Sequence, residues 1–145
     1  MEELIGLLDE NLQYNGYELQ GAELFINVSS KRDEAICPYC GQASRQVHSH
    51  KVRTLKDLPI QGKKVKIRLE HKKYFCTNET CARRTFAERF NFYESKATTT
   101  KRLQKEILRV AITQSSVAAS RYLRTSVADV SKSTICNMLK KGLAK

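Results

Sequence analysis

Two close cysteine pairs are the residues of this chain whose types and spacing predict chemistry most clearly. Cys37 and Cys40 are separated by two residues and followed by Gly41, whereas Cys76 and Cys81 are separated by four. The first spacing lets both thiolates reach one tetrahedral ion, and the second is compatible with chelation from a loop. Zn2+ prefers thiolates, and four of them close its coordination shell. We therefore predict one Zn2+, held by Cys37, Cys40, Cys76 and Cys81.

Disulfide bonds and histidine ligands are the alternatives to this four-cysteine site. The first twelve residues, MEELIGLLDENL, lack the basic start and apolar run of a signal peptide, and no apolar stretch reaches membrane-spanning length. We therefore expect a cytoplasmic chain with reduced thiols, which favours metal over disulfides. His48, His50 or His71 could still replace a cysteine ligand. Cys136 is better explained as a small, half-buried helix residue.

The number of cysteines also predicts what the metal does. Catalytic zinc keeps one coordination position open for water, whereas four protein ligands close a structural site. We therefore predict a structural ion and no catalytic centre built on it.

Charge is distributed unevenly along the 145 residues. Residues 1–36 hold two basic and eight acidic side chains, whereas residues 37–145 hold 24 basic and seven acidic ones. The net charge of +11 therefore combines an acidic start at −6 with a basic remainder at +17. This asymmetry is expected of a chain that binds a polyanion through its basic part. On charge alone, a basic protein without such a partner stays an alternative.

The helices and strands predicted from the sequence indicate an α+β chain in three parts. The first part is predicted to contain a small helix at about 2–12 and short strands at Tyr17–Leu19 and Glu23–Val28. The second is β-rich and bracketed by the cysteine pairs, and the third has helical spacing. In order, the parts are a helix and strand segment (1–34), a zinc-ribbon domain (35–92) and a helix-turn-helix domain (97–145).

The clearest strand of the middle part is Lys63–Phe75. Its apolar positions alternate with charged ones, Val65, Ile67 and Leu69 against Lys64, Lys66, Arg68 and Glu70. The alternation predicts one apolar face and one mostly basic face. Pro59 and Gly62 precede the strand and predict a turn, so we expect antiparallel pairing with Val47–Leu55.

Three helices are predicted in the third part, arranged as a helix-turn-helix. The first spans Lys96–Thr113, and the second, Ser116–Arg124, has small residues that permit close helix crossing. The third follows Ser131, which can cap it. Its inward side chains are Ile135, Met138 and Leu139. Because the connection Thr125–Asp129 lacks the glycine often found at the turn, a three-helix bundle with a solvated basic face stays an alternative.

Two sets of side chains are predicted to contact DNA. The outward face of the third helix combines cationic, hydroxyl and amide groups of the kinds used on phosphates and base edges. Its members are Lys132, Ser133, Thr134, Asn137, Lys140 and Lys141, of which Lys132 and Asn137 are expected to reach bases. The second set consists of cations of the middle part, which are expected to contact phosphates. Its members are Arg45, Lys51, Arg53, Lys64, Lys66 and Arg68.

The order and spacing of four motifs resemble the ISL-three family of insertion-sequence transposases. They are CPYCG at 37–41, HSHKVRTLKDLP at 48–59, a strand ending YFC at 74–76 and CARRTFAERF at 81–90. The resemblance covers about residues 35–141 and implies zinc ligation by the four paired cysteines. It also implies recognition of the terminal inverted repeats of an insertion sequence. In that family, such a region precedes an acidic-triad nuclease domain.

This chain ends soon after the predicted helices, and its acidic residues after position 36 are scattered among basic ones. We therefore expect the non-catalytic, DNA-binding portion of a transposase, which binds double-stranded DNA at transposon ends during DNA transposition and recombination. Such a chain would be bacterial, cytoplasmic and associated with the nucleoid. A homodimer is compatible with this role, whereas a membrane or a small-molecule substrate is not expected.

Three other functions stay open, and one of them is a protein-interaction scaffold that would dock through the acidic N-terminal part. A second is a zinc-ribbon, helix-turn-helix transcription regulator that acts at promoters. The third is an RNA-binding zinc ribbon, although the chain lacks a clear run of exposed aromatic residues for stacking on bases.

Overall fold

The structure is a computed structural model that describes residues 2–113 and 116–143. In that part, four helices and seven strands form the predicted mixed α+β architecture. In chain order they are α1 (Glu2–Leu8), β1 (Leu12–Gln20), β2 (Glu23–Ser30), β3 (Ala35–Ile36), β4 (Ala43–Ser44), β5 (Val47–Ile60), β6 (Lys63–Phe75), β7 (Thr85–Ala87), α2 (Lys101–Thr113), α3 (Ser116–Ser126) and α4 (Lys132–Leu143). None of the described helices is long and apolar enough to cross a membrane.

The longest strands, β5 and β6, form an antiparallel hairpin. Val65, Ile67 and Leu69 of β6 are at most 2% exposed, so the predicted apolar face is a core face. Gln61 and Gly62 connect the strands with φ angles of 50° and 75°, and positive values at both positions are typical of a type I′ hairpin turn. The predicted strand and its antiparallel partner are therefore confirmed.

The N-terminal strands belong to the same sheet as this hairpin. Its strand order is β1-β2-β6-β5, and β7 pairs with the end of β6. β2 runs parallel to β6 with Ile26 opposite Ile67, so the buried face of β2 extends the core of the hairpin. The sheet thus continues across the boundary drawn near residue 34, and the division into domains stays a prediction.

The first helix is shorter than the sequence predicted. α1 ends at Leu8, and Leu12 begins β1 instead of ending the helix. The Asp9 carboxylate accepts a hydrogen bond from the backbone amide of Asn11 at 2.9 Å. This Asx turn competes with a further helical turn, and Leu12 then packs beside Ile5 in the core of the sheet. The prediction of a helix to residue 12 is therefore wrong.

α2, α3 and α4 enclose a second hydrophobic core. Fully buried side chains from all three helices form its centre: Leu103, Ile107, Leu123 and Ile135. Met138 and Leu139 are partly buried against the same core. The inward face predicted for the last helix is therefore the face that packs.

α2 begins at Lys101 rather than at the predicted Lys96. The backbone of Lys56 in β5 donates to the carbonyl of Thr98 and accepts from the amide of Thr100, both at 2.9 Å. Residues 98–100 therefore run beside the sheet in place of an additional helical turn. The Thr100 hydroxyl then accepts a hydrogen bond from an amide of the first turn of α2 at 3.3 Å, as an N-cap residue does.

A buried carboxylate ties the sheet to the helices. Asp57 of β5 is 1% exposed and accepts hydrogen bonds from the Thr100 hydroxyl at 2.7 Å and from Nε of Arg102 at 2.8 Å. The hydrogen bond to Asp57 raises the pKa of Arg102 above its usual value. A second link joins Lys64 of β6 to Asp129, which precedes α4, at 2.8 Å. These contacts orient the helices relative to the sheet.

Replacing Asp57 by Ala should lower the free energy of unfolding by about 1–3 kcal/mol, because the buried Thr100 hydroxyl loses its acceptor and Arg102 loses its partner. Urea unfolding measures this loss. The matched control is Glu106→Ala, which removes the pair with Arg109 on the surface of α2 and should cost less than about 0.5 kcal/mol. Equal losses in the two variants would contradict the role assigned to Asp57.

Candidate metal centre and nucleic-acid interface

The first cysteine pair lies in a tight turn between β3 and β4. The Gly41 amide donates to the Cys37 carbonyl at 2.8 Å, and the Cys37 amide donates to the Gln42 carbonyl at 2.9 Å. Gly41 has a φ of 79°, in the left-handed region that glycine adopts without steric cost. The turn brings Cys37 and Cys40 within reach of one ion.

The second cysteine pair directly follows β6. The Cys76 amide donates to the Arg84 carbonyl at 2.8 Å, which continues the pairing of β6 with β7. Within the loop, the Asn78 side chain accepts hydrogen bonds from the amide and the hydroxyl of Thr80, at 3.1 and 2.8 Å. The Cys81 amide donates to the Asn78 carbonyl at 3.1 Å. The sheet therefore positions Cys76, and a side-chain turn folds the loop that leads to Cys81.

All four sulfur atoms lie within 4.8 Å of one another. The Sγ atoms of Cys37 and Cys81 are 4.0 Å apart, and those of Cys40 and Cys76 are 3.6 Å apart. Tetrahedral Zn–S bonds of about 2.3 Å separate sulfurs by about 3.8 Å, so the cluster fits one zinc ion, whereas a disulfide needs about 2.05 Å. The predicted set of four cysteine ligands is confirmed, and the group contains no histidine.

Electrostatics also favours a divalent ion at this site. The backbone amide of Gln42 lowers the pKa of Cys40 to about 6. At Cys76, the backbone amide of Asn78 lowers the pKa, but desolvation and the neighbouring thiols outweigh it and raise the pKa to about 12. Four crowded thiols therefore do not all ionise by themselves. A bound Zn2+ would supply the countercharge that allows all four thiols to ionise, and a shell closed by four cysteines would make it structural.

The sequence around the cysteine cluster matches a known protein family. Residues 33–85 match the family model for the zinc-finger of transposase IS204/IS1001/IS1096/IS1165. This segment is similar to a transposase zinc ribbon. The match includes both cysteine pairs, β5 and β6, but it does not extend to α2, α3 or α4. No curated protein and no solved structure matches the chain.

The predicted basic face of β6 is largely ion-paired. Three pairs occur on it: Lys64 with Asp129 at 2.8 Å, Lys66 with Glu23 at 3.2 Å and Arg68 with Glu18 at 3.4 Å. The cationic groups of Lys66 and Arg68 also lie over the ring of Phe25. A DNA phosphate would have to displace a carboxylate from each cation, so phosphate contact by these side chains stays a prediction.

The other predicted cations of the middle part lie in three different environments. Arg45 is exposed and pairs with Glu34 at 2.9 Å. Nε of Arg53 donates to the Ala97 carbonyl at 3.1 Å, and its guanidinium lies over the ring of Tyr93. Arg53 therefore holds the segment that leads to α2. Lys51 is exposed on β5.

The outward face predicted for the last helix is exposed on α4. Lys132, Ser133, Asn137 and Lys140 are exposed and Thr134 is partly buried, on the helix whose Ile135 is fully buried. The side chain of Lys141 lies outside the part of the chain that the structure describes. The Ser131 hydroxyl accepts a hydrogen bond from the Thr134 amide at 3.1 Å, which confirms the predicted cap.

One group of functional interest was missed in the sequence. Glu88 is 3% exposed, and neither of its carboxylate oxygens has a hydrogen-bond partner among the described residues. Nδ1 of the buried His71 also lacks one. Glu88 lies among basic residues in CARRTFAERF, which is typical of a surface segment. No local signal predicted its burial.

Removing zinc should unfold the ribbon, because a structural site contributes on the order of 10 kcal/mol to folding. Elemental analysis of the purified chain should give one zinc per chain. Cys37→Ser should reduce this below half an equivalent, whereas Cys136→Ser, which changes a cysteine of α4 outside the cluster, should retain it. A well-folded ribbon with little zinc would contradict the site.

Proposed function

We propose that this chain binds double-stranded DNA at the terminal inverted repeats of an insertion sequence, as the recognition portion of a transposase. The observation that carries the proposal is the match of residues 33–85 to a transposase zinc finger. Leu58 of β5, within this segment, packs against the helical core to which α4 belongs. α4 has an exposed face of cationic, hydroxyl and amide side chains. Side chains of these types contact phosphates and base edges.

The packing of α3 against α4 supports a helix-turn-helix. The connection Val127–Ser131 is one or two residues longer than the usual three to four of this motif. It is nevertheless held firmly, because the Val130 carbonyl accepts hydrogen bonds from the Ser120 hydroxyl at 2.8 Å and from Nε of Arg124 at 3.2 Å. Ala128 is buried in the helical core. We propose that this connection sets the angle at which α4 enters the major groove.

The first turn of α4 is suited to contact with DNA. Ser131 satisfies one of its free amides, and the N-terminal end of a helix favours a phosphate. Lys132 and Ser133 lie in this turn, and Asn137 lies one turn further along. We propose that Lys132 and Asn137 contact base edges, where lysine suits guanine acceptors and asparagine pairs with adenine.

We further propose that this portion binds DNA and does not itself catalyse strand transfer. Two-metal strand transfer needs grouped carboxylates. Across residues 2–113 and 116–143, the four cysteines are the one group of three or more metal-ligating side chains close enough to share an ion. Several acidic residues already form ion pairs, such as Asp57 with Arg102 and Glu106 with Arg109.

Asn137→Ala should relax base preference at one or two positions, by about 1–3 kcal/mol, while non-specific binding changes little. The measurement is selection of bound sequences from a random duplex library with the parent and the variant. The matched control is Gln13→Ala, which removes an exposed amide from β1.

Identical sequence profiles and affinities for the parent and Asn137→Ala would contradict the assignment of α4 as the recognition helix. The genomic position of the selected sites tests the biological role separately. Terminal inverted repeats would support the transposase assignment, whereas promoter operators would contradict it.

A further inference from the structure

A groove of about 490 Å³ lies between α4 and the segment that leads from the sheet to α2. It is lined by Thr134, Asn137 and Met138 of α4, by residues 94–99 and by two side chains of α2. Asn137, which we propose to contact a base, therefore shares this groove with a segment outside the match to the transposase zinc finger.

The tip of that segment is a tight turn with a lysine in a strained conformation. The Ala97 amide donates to the Glu94 carbonyl at 2.9 Å, which closes a four-residue turn. Lys96 has a φ of 68°, whereas φ at Ser95 is not positive, and this pattern is typical of a type II turn. The position of Lys96 in such a turn favours glycine, because a Cβ is strained there. Strained residues of this kind are concentrated at functional sites.

The turn is fixed to the rest of the protein on both sides. The Lys101 amide donates to the Phe92 carbonyl at 2.8 Å, which joins the two ends of the loop. Nε of Arg53 on β5 donates to the Ala97 carbonyl at 3.1 Å, directly after the strained lysine. The sheet and α2 therefore hold Lys96 in place relative to α4, so a contact made by this side chain does not require the loop to become ordered.

The charges around the groove favour an anion at Lys96. Lys96 and Glu94 are the charged side chains on the lining, and both are exposed. Neither forms an ion pair with another described residue, whereas the cations of β6 are paired with carboxylates. The guanidinium of Arg53 adds positive charge beneath the turn. An anion can therefore reach Lys96 without displacing a carboxylate, but Glu94 would repel it from the start of the turn.

We propose that Lys96 contacts a backbone phosphate of the bound DNA, beside the base pair that Asn137 contacts. This inference rests on the proposed DNA-binding function. Phosphates of both strands border the major groove, and contacts to them fix the register and orientation of a helix that lies in it. Lys96 thus adds affinity without base preference and fixes the position of Asn137 along the duplex.

The first test measures the salt dependence of binding to a selected duplex and to unrelated duplexes by fluorescence anisotropy of the zinc-loaded chain. Lys96→Ala should weaken all of them roughly five- to tenfold near 0.1 M salt and reduce the slope of log affinity against log salt by about 0.9. Lys96→Arg should restore both quantities, and Glu94→Gln should strengthen binding. The matched control Lys31→Ala, an exposed lysine that follows β2, should change neither.

A second test locates the phosphate. Each phosphate of the selected duplex is replaced in turn by a neutral methylphosphonate. One or two replacements beside the base pair whose preference relaxes in Asn137→Ala should weaken binding of the parent. The same replacements should have no further effect on Lys96→Ala, because the cation that faces the phosphate is already absent.

A third variant, Lys96→Gly, separates binding from folding. Glycine adopts a positive φ without strain, so the urea midpoint should stay the same or rise. Affinity should fall as it does in Lys96→Ala.

Each result decides a specific claim. Parent-like affinity and salt slope in Lys96→Ala, or methylphosphonate effects that are identical in the parent and this variant, overturn the inference and leave the proposed function intact. A Lys96-dependent phosphate far from the base pair of Asn137 overturns the shared register. Weaker binding with a lower urea midpoint in both Lys96→Ala and Lys96→Gly, without rescue by Lys96→Arg, replaces the contact by a structural role. Failure of the parent to bind any duplex overturns the proposed function itself.

Discussion

The pairing of β6 on both of its edges is the constraint on which the remaining structure depends. β2 and β5 pair with β6 along most of its length, and β7 pairs with its end. The next residue, Cys76, is a zinc ligand. Tyr74 of β6 is fully buried and stacks on Phe86 in the small core that also contains Cys37. The metal centre thus lies at the end of the sheet. Zinc binding completes the small core around Tyr74, which strand pairing has already positioned.

The same pairing brings acidic and basic side chains next to one another. Along the sequence the acidic start and the basic remainder are separate, but parallel pairing places β2 beside β6, where Glu23 meets Lys66. Much of the positive charge on the sheet is therefore balanced within the protein. Residues 97–145 hold ten basic and two acidic side chains, so the helical part keeps the strongest excess. This difference supports the helices, rather than the sheet, as the surface of the proposed DNA contact.

Features that depend on local spacing could be predicted from the sequence. Cysteine spacing predicted the zinc ligands, alternation predicted β6, and a serine before an apolar helical pattern predicted the cap of α4. Parallel pairing of β2 with β6 could not be predicted, because it joins residues more than 35 positions apart and leaves no periodic signal. The Asp57–Arg102 contact and the burial of Glu88 likewise depend on segments that meet only in the folded chain.

We propose that the helices packed on the zinc-stapled sheet present α4 to DNA. Hydrogen–deuterium exchange of the zinc-loaded chain, with and without a selected duplex, tests this claim most directly. The account predicts that exchange slows most in the first two turns of α4 and in the connection before it, while β1 is unchanged. Unchanged exchange throughout α4, with slowing confined to β1 and β2, would contradict it.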